Sequence, residues 1–92
     1  MSDVFEALAH PVRREILKLL RKRPMSAGEL SEHFTIAKPT LSGHFAVLKN
    51  ADLVTTERKG TTIIYRMNMS VMEEALAAFL AIAGTKGKER QG

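Results

Sequence analysis

The stretch AKPTLSGHFAVLKNADLV, residues 37–54, decides the fold of this 92-residue chain. Leu41, Phe45 and Leu48 recur at spacings of four and three, so a helix over 38–49 turns one apolar side to a core. Pro39 is tolerated there because the first helical turn does not need its missing amide. At 100° per residue the opposite side carries Pro39, Thr40, Gly43 and Val47, flanked by Ser42 and His44. Lys38 and Lys49 stand at its two ends. Such a row suits a helix lying in a DNA groove, yet Gly43 stands where a side chain would meet the bases.

Working outward, SAGEL offers a capping box, Ser26 with Glu29, for a preceding helix. Ala27, Leu30 and Phe34 lie on one face of it. TIA is a tight connection, so the two helices form a helix–turn–helix. Before them PVRREILKLLRKR, residues 11–23, has Pro11 in its first turn and Val12, Ile16, Leu19 and Leu20 at helical spacing. Pro24 stops it. Asp3 and Glu6 open a short first helix striped by Phe5 and Leu8, which AHP interrupts. His10, before Pro11, is placed to cap a helix or to bind a phosphate.

Beyond residue 52 the pattern changes. LVTTERKGTTIIYRMN is rich in β-branched residues and reads as a two-stranded hairpin with Gly60 in its turn. Ser70 and Glu73 form a second capping box for a final helix, VMEEALAAFLAIA, which Gly84 ends. The order α-α-α-α-β-β-α is mainly α with a small β-hairpin, a winged helix–turn–helix. One domain is expected over 1–84, followed by a polar, flexible tail over 85–92.

A chain of this length buries only about 60–65% of its unfolded surface and gains from extra stabilisation. With no cysteine, disulfides, thiolate zinc sites and thiol redox switches are excluded. Oligomerisation is left. The final helix points the same way, being apolar nearly all round apart from Glu73 and Glu74, more than one buried face accounts for. A homodimer in which Met72, Leu76, Phe79 and Leu80 meet, joined by Phe5 and Leu8, covers the surplus; the alternative is a helix buried wholly within one domain. The formal charge is +4 and the sequence pI about 9.8, which suits a polyanionic partner. No basic stretch precedes a long apolar run and no segment approaches the ~20 residues of a membrane span, so a cytoplasmic protein is expected, with no membrane insertion.

Three blocks, FEALAHPVRREILKLL, KPTLSGHFAVLKNADLV and RKGTTIIYRMN, together resemble the ArsR/SmtB family of bacterial repressors, over roughly residues 4–79. The short length, the EHF…KPT pattern and the missing sensor ligands are most similar to its SdpR-type autorepressors. The resemblance implies a homodimeric repressor of double-stranded DNA that binds an inverted-repeat operator, including its own promoter, with a dimer contact through the first and last helices.

Thr40, Ser42 and His44 are the candidates for base edges or nearby phosphates. Lys38 and Lys49 are cast as phosphate contacts, which position without specifying. Arg58, Lys59 and Thr61 around Gly60 give a basic wing tip suited to backbone or minor groove, although such tips are also ordinary surface. Two positions depart from the family pattern. Where Gly43 stands, relatives commonly carry arginine or glutamine, and where Ala37 stands, a capping serine. Gly43 costs about 1 kcal/mol of helix stability and forfeits a contact worth ~1–3 kcal/mol of discrimination. Specificity is therefore expected to lean on DNA shape, wing and phosphates.

Sensing relatives place two cysteines just after a Glu-Leu pair; here Glu29-Leu30 is followed by Ser31, Glu32 and His33. Others use histidines on the last helix, which has none. No metal site or cofactor is expected, and derepression is left to an unidentified protein, a small organic molecule or a falling protein concentration. A competing class is a winged-helix protein–protein interaction module. An enzyme finds no support, since no Ser–His–Asp order, carboxylate pair or phosphate loop is present.

Overall fold

The computed structural model describes residues 3–84. Helix α1 spans Val4–Leu8 and α2 Pro11–Lys22; a short strand β1, Met25–Ser26, precedes α3, Ala27–Ser31. Helix α4 spans Lys38–Asn50, strands β2 and β3 span Val54–Lys59 and Thr62–Met67, and α5 spans Met69–Ala83. The winged helix–turn–helix is as expected. The tail expected over 85–92 lies outside the described residues.

Two expectations need correction. The expected β2–β3 hairpin forms with Gly60 in its turn, but β1 adds a third strand, so the wing is an antiparallel sheet of order β1-β3-β2. Met25 pairs with Tyr65 and Ser26 with Ile64. Two residues carry no readable alternation, and Ser26 does two jobs at once: its extended backbone joins the sheet while its hydroxyl accepts from the Glu29 amide. The capping box is complete, with Glu29 returning a bond to the Ser26 amide. The second correction concerns α5. It starts at Met69 and is capped by Asn68, whose side chain accepts from the Val71 amide, so Ser70 is already helical and no Ser70–Glu73 box forms.

Helix α4 ends in a Schellman arrangement: the Asp52 amide donates to Lys49 O and the Leu53 amide to Leu48 O. Asp52 takes the left-handed φ of 61° that this turn requires. Leu48 and Leu53, brought together by it, are both fully buried. With Ile16, Leu30 and Leu41 they form the centre of a core that contains no buried polar side chain among the described residues. Phe45 of α4 stacks on Tyr65 of β3 with ring centroids 5.0 Å apart, which fixes the helix against the wing sheet. Burying one flank of α4 in this way determines which flank faces out.

Candidate nucleic-acid interface

Leu41, Phe45 and Leu48 point inward as the spacing requires, and Lys38, Pro39, Thr40, Ser42, Gly43 and Lys49 are exposed. Ala37 supplies no side-chain cap, so the first turn of α4 leaves amides without a side-chain acceptor from that residue. A Cβ built on Gly43 meets nothing within 4 Å. The glycine is therefore not demanded by packing. Between α3 and α4 a small groove is lined by Gly28, Ser31, Lys38 and Ser42 over Leu41 and Phe45.

His44 differs from the expectation of an outward side chain. It is half-buried, and its Nδ1 lies 3.1 Å from Nη1 of Arg13 on α2. Arginine has only donors, so Nδ1 accepts and the neutral ring carries its proton on Nε2. Burial, followed by the nearby charges of His10 and Arg13, holds the imidazole below the ordinary histidine range. His10 packs on it with centroids 4.3 Å apart. Nδ1 of His10 accepts from the Val12 amide, so of the two roles open to this residue the structure shows the cap of α2. Arg13 also donates to Ala7 O and Glu6 O, 2.8 and 3.1 Å away. One guanidinium thus ties α1, α2 and α4 together. Sequence did not single out Arg13, since nothing in periodicity marks a side chain that crosses to another helix.

At the wing, β2 and β3 pair from Val54↔Met67 to Lys59↔Thr62, leaving Gly60 and Thr61 as a two-residue turn. Gly60 has φ +63°, a conformation that costs an L-residue about 1–2 kcal/mol. Arg58, Lys59 and Thr61 are all exposed at this tip. Arg66, by contrast, is paired with Glu57 at 3.0 Å, and that hydrogen bond holds the Glu57 carboxyl below its usual range. Lys38, Lys49, Arg58 and Lys59 form no ion pair among the described residues. Helix α4 itself contains no acidic residue.

On another face, α5 buries only Ala75. Leu76 and Phe79 are 55% and 57% exposed, and with Phe5, Leu8, Met72 and Ala75 they line one continuous apolar groove of about 340 Å³. Sequence had grouped five of these six. It did not name Ile82, three residues beyond Phe79 and 80% exposed, or Met69. Leu80, expected at the contact, is half-buried and does not line the groove. No three His, Cys, Asp or Glu residues are grouped to hold a metal among the described residues, and no helix there is long and apolar enough to cross a membrane.

The profile described as "Bacterial regulatory protein, arsR family" matches residues 10–56. The Transcriptional repressor SdpR of Bacillus subtilis (strain 168) is 42% identical over 76 residues, covering 83% of this chain and 84% of that protein. The Arsenical resistance operon repressor of Staphylococcus xylosus is 37% identical over 73 residues, 79% of this chain and 70% of that one. Among solved structures, a possible transcriptional regulator for arsenical resistance superposes with a TM-score of 0.82 at 29% identity, covering 89% of this chain and 85% of its own.

Proposed function

Because the chain belongs to the arsR family of bacterial regulatory proteins, we propose that it represses transcription as a homodimer bound to an inverted-repeat operator, its own promoter included. It is a DNA-binding regulator and not an enzyme. The observation that carries the mechanism is the outer flank of α4, which exposes Thr40 and Ser42 between Lys38 and Lys49, is free of carboxylates and is backed by the buried core. An α-helix fits the major groove, where each base pair shows a distinct set of donors and acceptors. Thr40 and Ser42 reach base edges or adjacent phosphates, and His44 offers its Nε2–H while Arg13 holds the ring. Pro39 and Gly43 let the backbone approach closely. Lys38, Lys49, Arg58, Lys59 and Thr61 bind phosphates or the minor groove and set the register.

Two-fold symmetry comes from the apolar groove. Phe5, Leu8, Met72, Leu76 and Phe79 of each copy close on one another, with Leu80 behind them, the exposed aromatic and leucine faces being larger than scattered surface residues explain. The domain over 1–84 thereby both reads and dimerises. No resident metal or thiol sensor is proposed; release follows from an unidentified protein or small organic inducer in the cytoplasm. Footprinting on the DNA upstream of its own reading frame tests this. Two protected half-sites about one helical turn apart are expected. A single unpaired footprint, or none, overturns the reading.

A further inference from the structure

A second cleft lies beside the dimer groove, between α1, α2, the end of β3 and the start of α5. It is an open cleft of about 620 Å³, a size that admits a small molecule. Its floor is apolar: Leu8, Leu17, Met67 and Met72. Its rim consists of Arg14, Lys18 and Arg21, three cations on one face of α2 at spacings of four and three. No acidic residue lines it. An apolar floor under a one-signed rim is the arrangement that recognises an amphipathic anion, since each half of such a molecule is misplaced in water or in a purely apolar pocket.

The rim is available. Arg14 uses Nη1 on Leu8 O at 2.9 Å, which anchors its guanidinium over the cleft and leaves its other donors to a ligand. Lys18 has only a solvent-exposed contact with Glu15 at 3.7 Å, and Arg21 has no ion pair among the described residues. Methionine side chains adapt to apolar bodies of different shape. Arg14, Lys18 and Arg21 line this cleft and not the Phe5–Phe79 groove, which shares only Leu8 and Met72 with it.

We propose that this cleft binds a small amphipathic carboxylic acid, its apolar body over Leu17 and Met67 at the edge of the dimer contact that Leu8 and Met72 make, and its carboxylate against Arg14, Lys18 and Arg21. The guanidinium fork matches a carboxylate in two parallel hydrogen bonds, and lysine adds a point charge. The site requires no DNA and goes beyond the repressor reading.

Octanoate is the probe, followed through ¹³C-labelled methionine methyls on the full chain without DNA. Saturable shifts at Met67 and Met72, with Met25 in the core unmoved and half-saturation below about 1 mM, are expected. Acetate and 1-octanol, each lacking one half of the amphiphile, bind at least about tenfold more weakly. The Lys18→Gln/Arg21→Gln double variant, altered only at exposed positions and checked for folding by its Met25 methyl, loses at least about tenfold in affinity. No saturable Met67 shift, equal binding of 1-octanol, or an unchanged double variant overturns the proposal.

Discussion

Arg13 of α2 and His44 of α4 are joined by a 3.1 Å hydrogen bond in which the guanidinium donates to ring Nδ1. The same guanidinium donates to two carbonyls of α1, so the angle of the candidate reading helix is set from the first and second helices. His10, capping α2, packs against the ring as well. Protonating Nδ1 of His44 would turn its acceptor into a donor facing an arginine.

Acidification is therefore expected to destabilise the fold through His44. Its pKa in the folded state lies below the ordinary value of 6.5. The folded form thus takes up the proton less readily than the unfolded chain. The contribution is complete above about pH 6.5 and is lost as pH falls through that value toward the lowered one. Thermal melts between about pH 7.5 and 5.5 check this. His44→Gln, which can still accept from Arg13 without titrating, should show a shallower fall; an identical fall contradicts it.

Gly43→Ala is expected to stabilise the protein by about 1 kcal/mol, a rise in Tm of roughly 4–8 °C, because the added methyl meets open space in a helix interior. Gly43→Arg should fold as well and gain ~1–3 kcal/mol of operator discrimination. Titrations of operator and scrambled duplexes read the difference, and unchanged affinity and selectivity refute the groove-facing assignment of this position.

Phe79→Glu is expected to break the proposed dimer. Burying a phenylalanine is worth about 1.5–3 kcal/mol, and symmetry counts it twice, so association weakens roughly 10²–10⁴-fold. Sedimentation should report a monomer of unchanged helical content, since Phe79 is 57% exposed within one chain. A variant that dimerises as tightly as the parent excludes the α5 groove.

The wing tip separates fold from contact. Gly60→Ala should cost about 1–2 kcal/mol in chemical denaturation because φ is +63° there. Arg58→Ala should leave stability unchanged, weaken all DNA sequences about equally and reduce the salt slope by about 1. Selective loss of operator binding would instead give Arg58 a base contact.

Helix α4, its inward leucines and the Gly60 turn were legible because each depends on local spacing or a special backbone conformation. The same holds for the Ser26–Glu29 box. What sequence hid depends on contacts across the chain. Met25–Ser26 became a strand only because β3 lies beside it, and Asn68 displaced Ser70 as the cap because β3 ends one residue earlier. His44 was placed on the flank of the outward row from helical angle alone, and its ring leans onto His10 and Arg13, while Val47, placed within that row, is half-buried against the core. The α1–α5 groove was foreseen from surplus apolar residues, but Ile82 and Met69 were not.

Fluorescence anisotropy of the protein with its own upstream duplex, titrated across a salt series, tests the central claim most directly. A dimeric reader making about 6–10 phosphate contacts should lose roughly 10³–10⁵ in affinity between about 50 and 200 mM salt, while still preferring that duplex to a scrambled one. Binding that ignores salt, or that cannot tell the two duplexes apart, would contradict it.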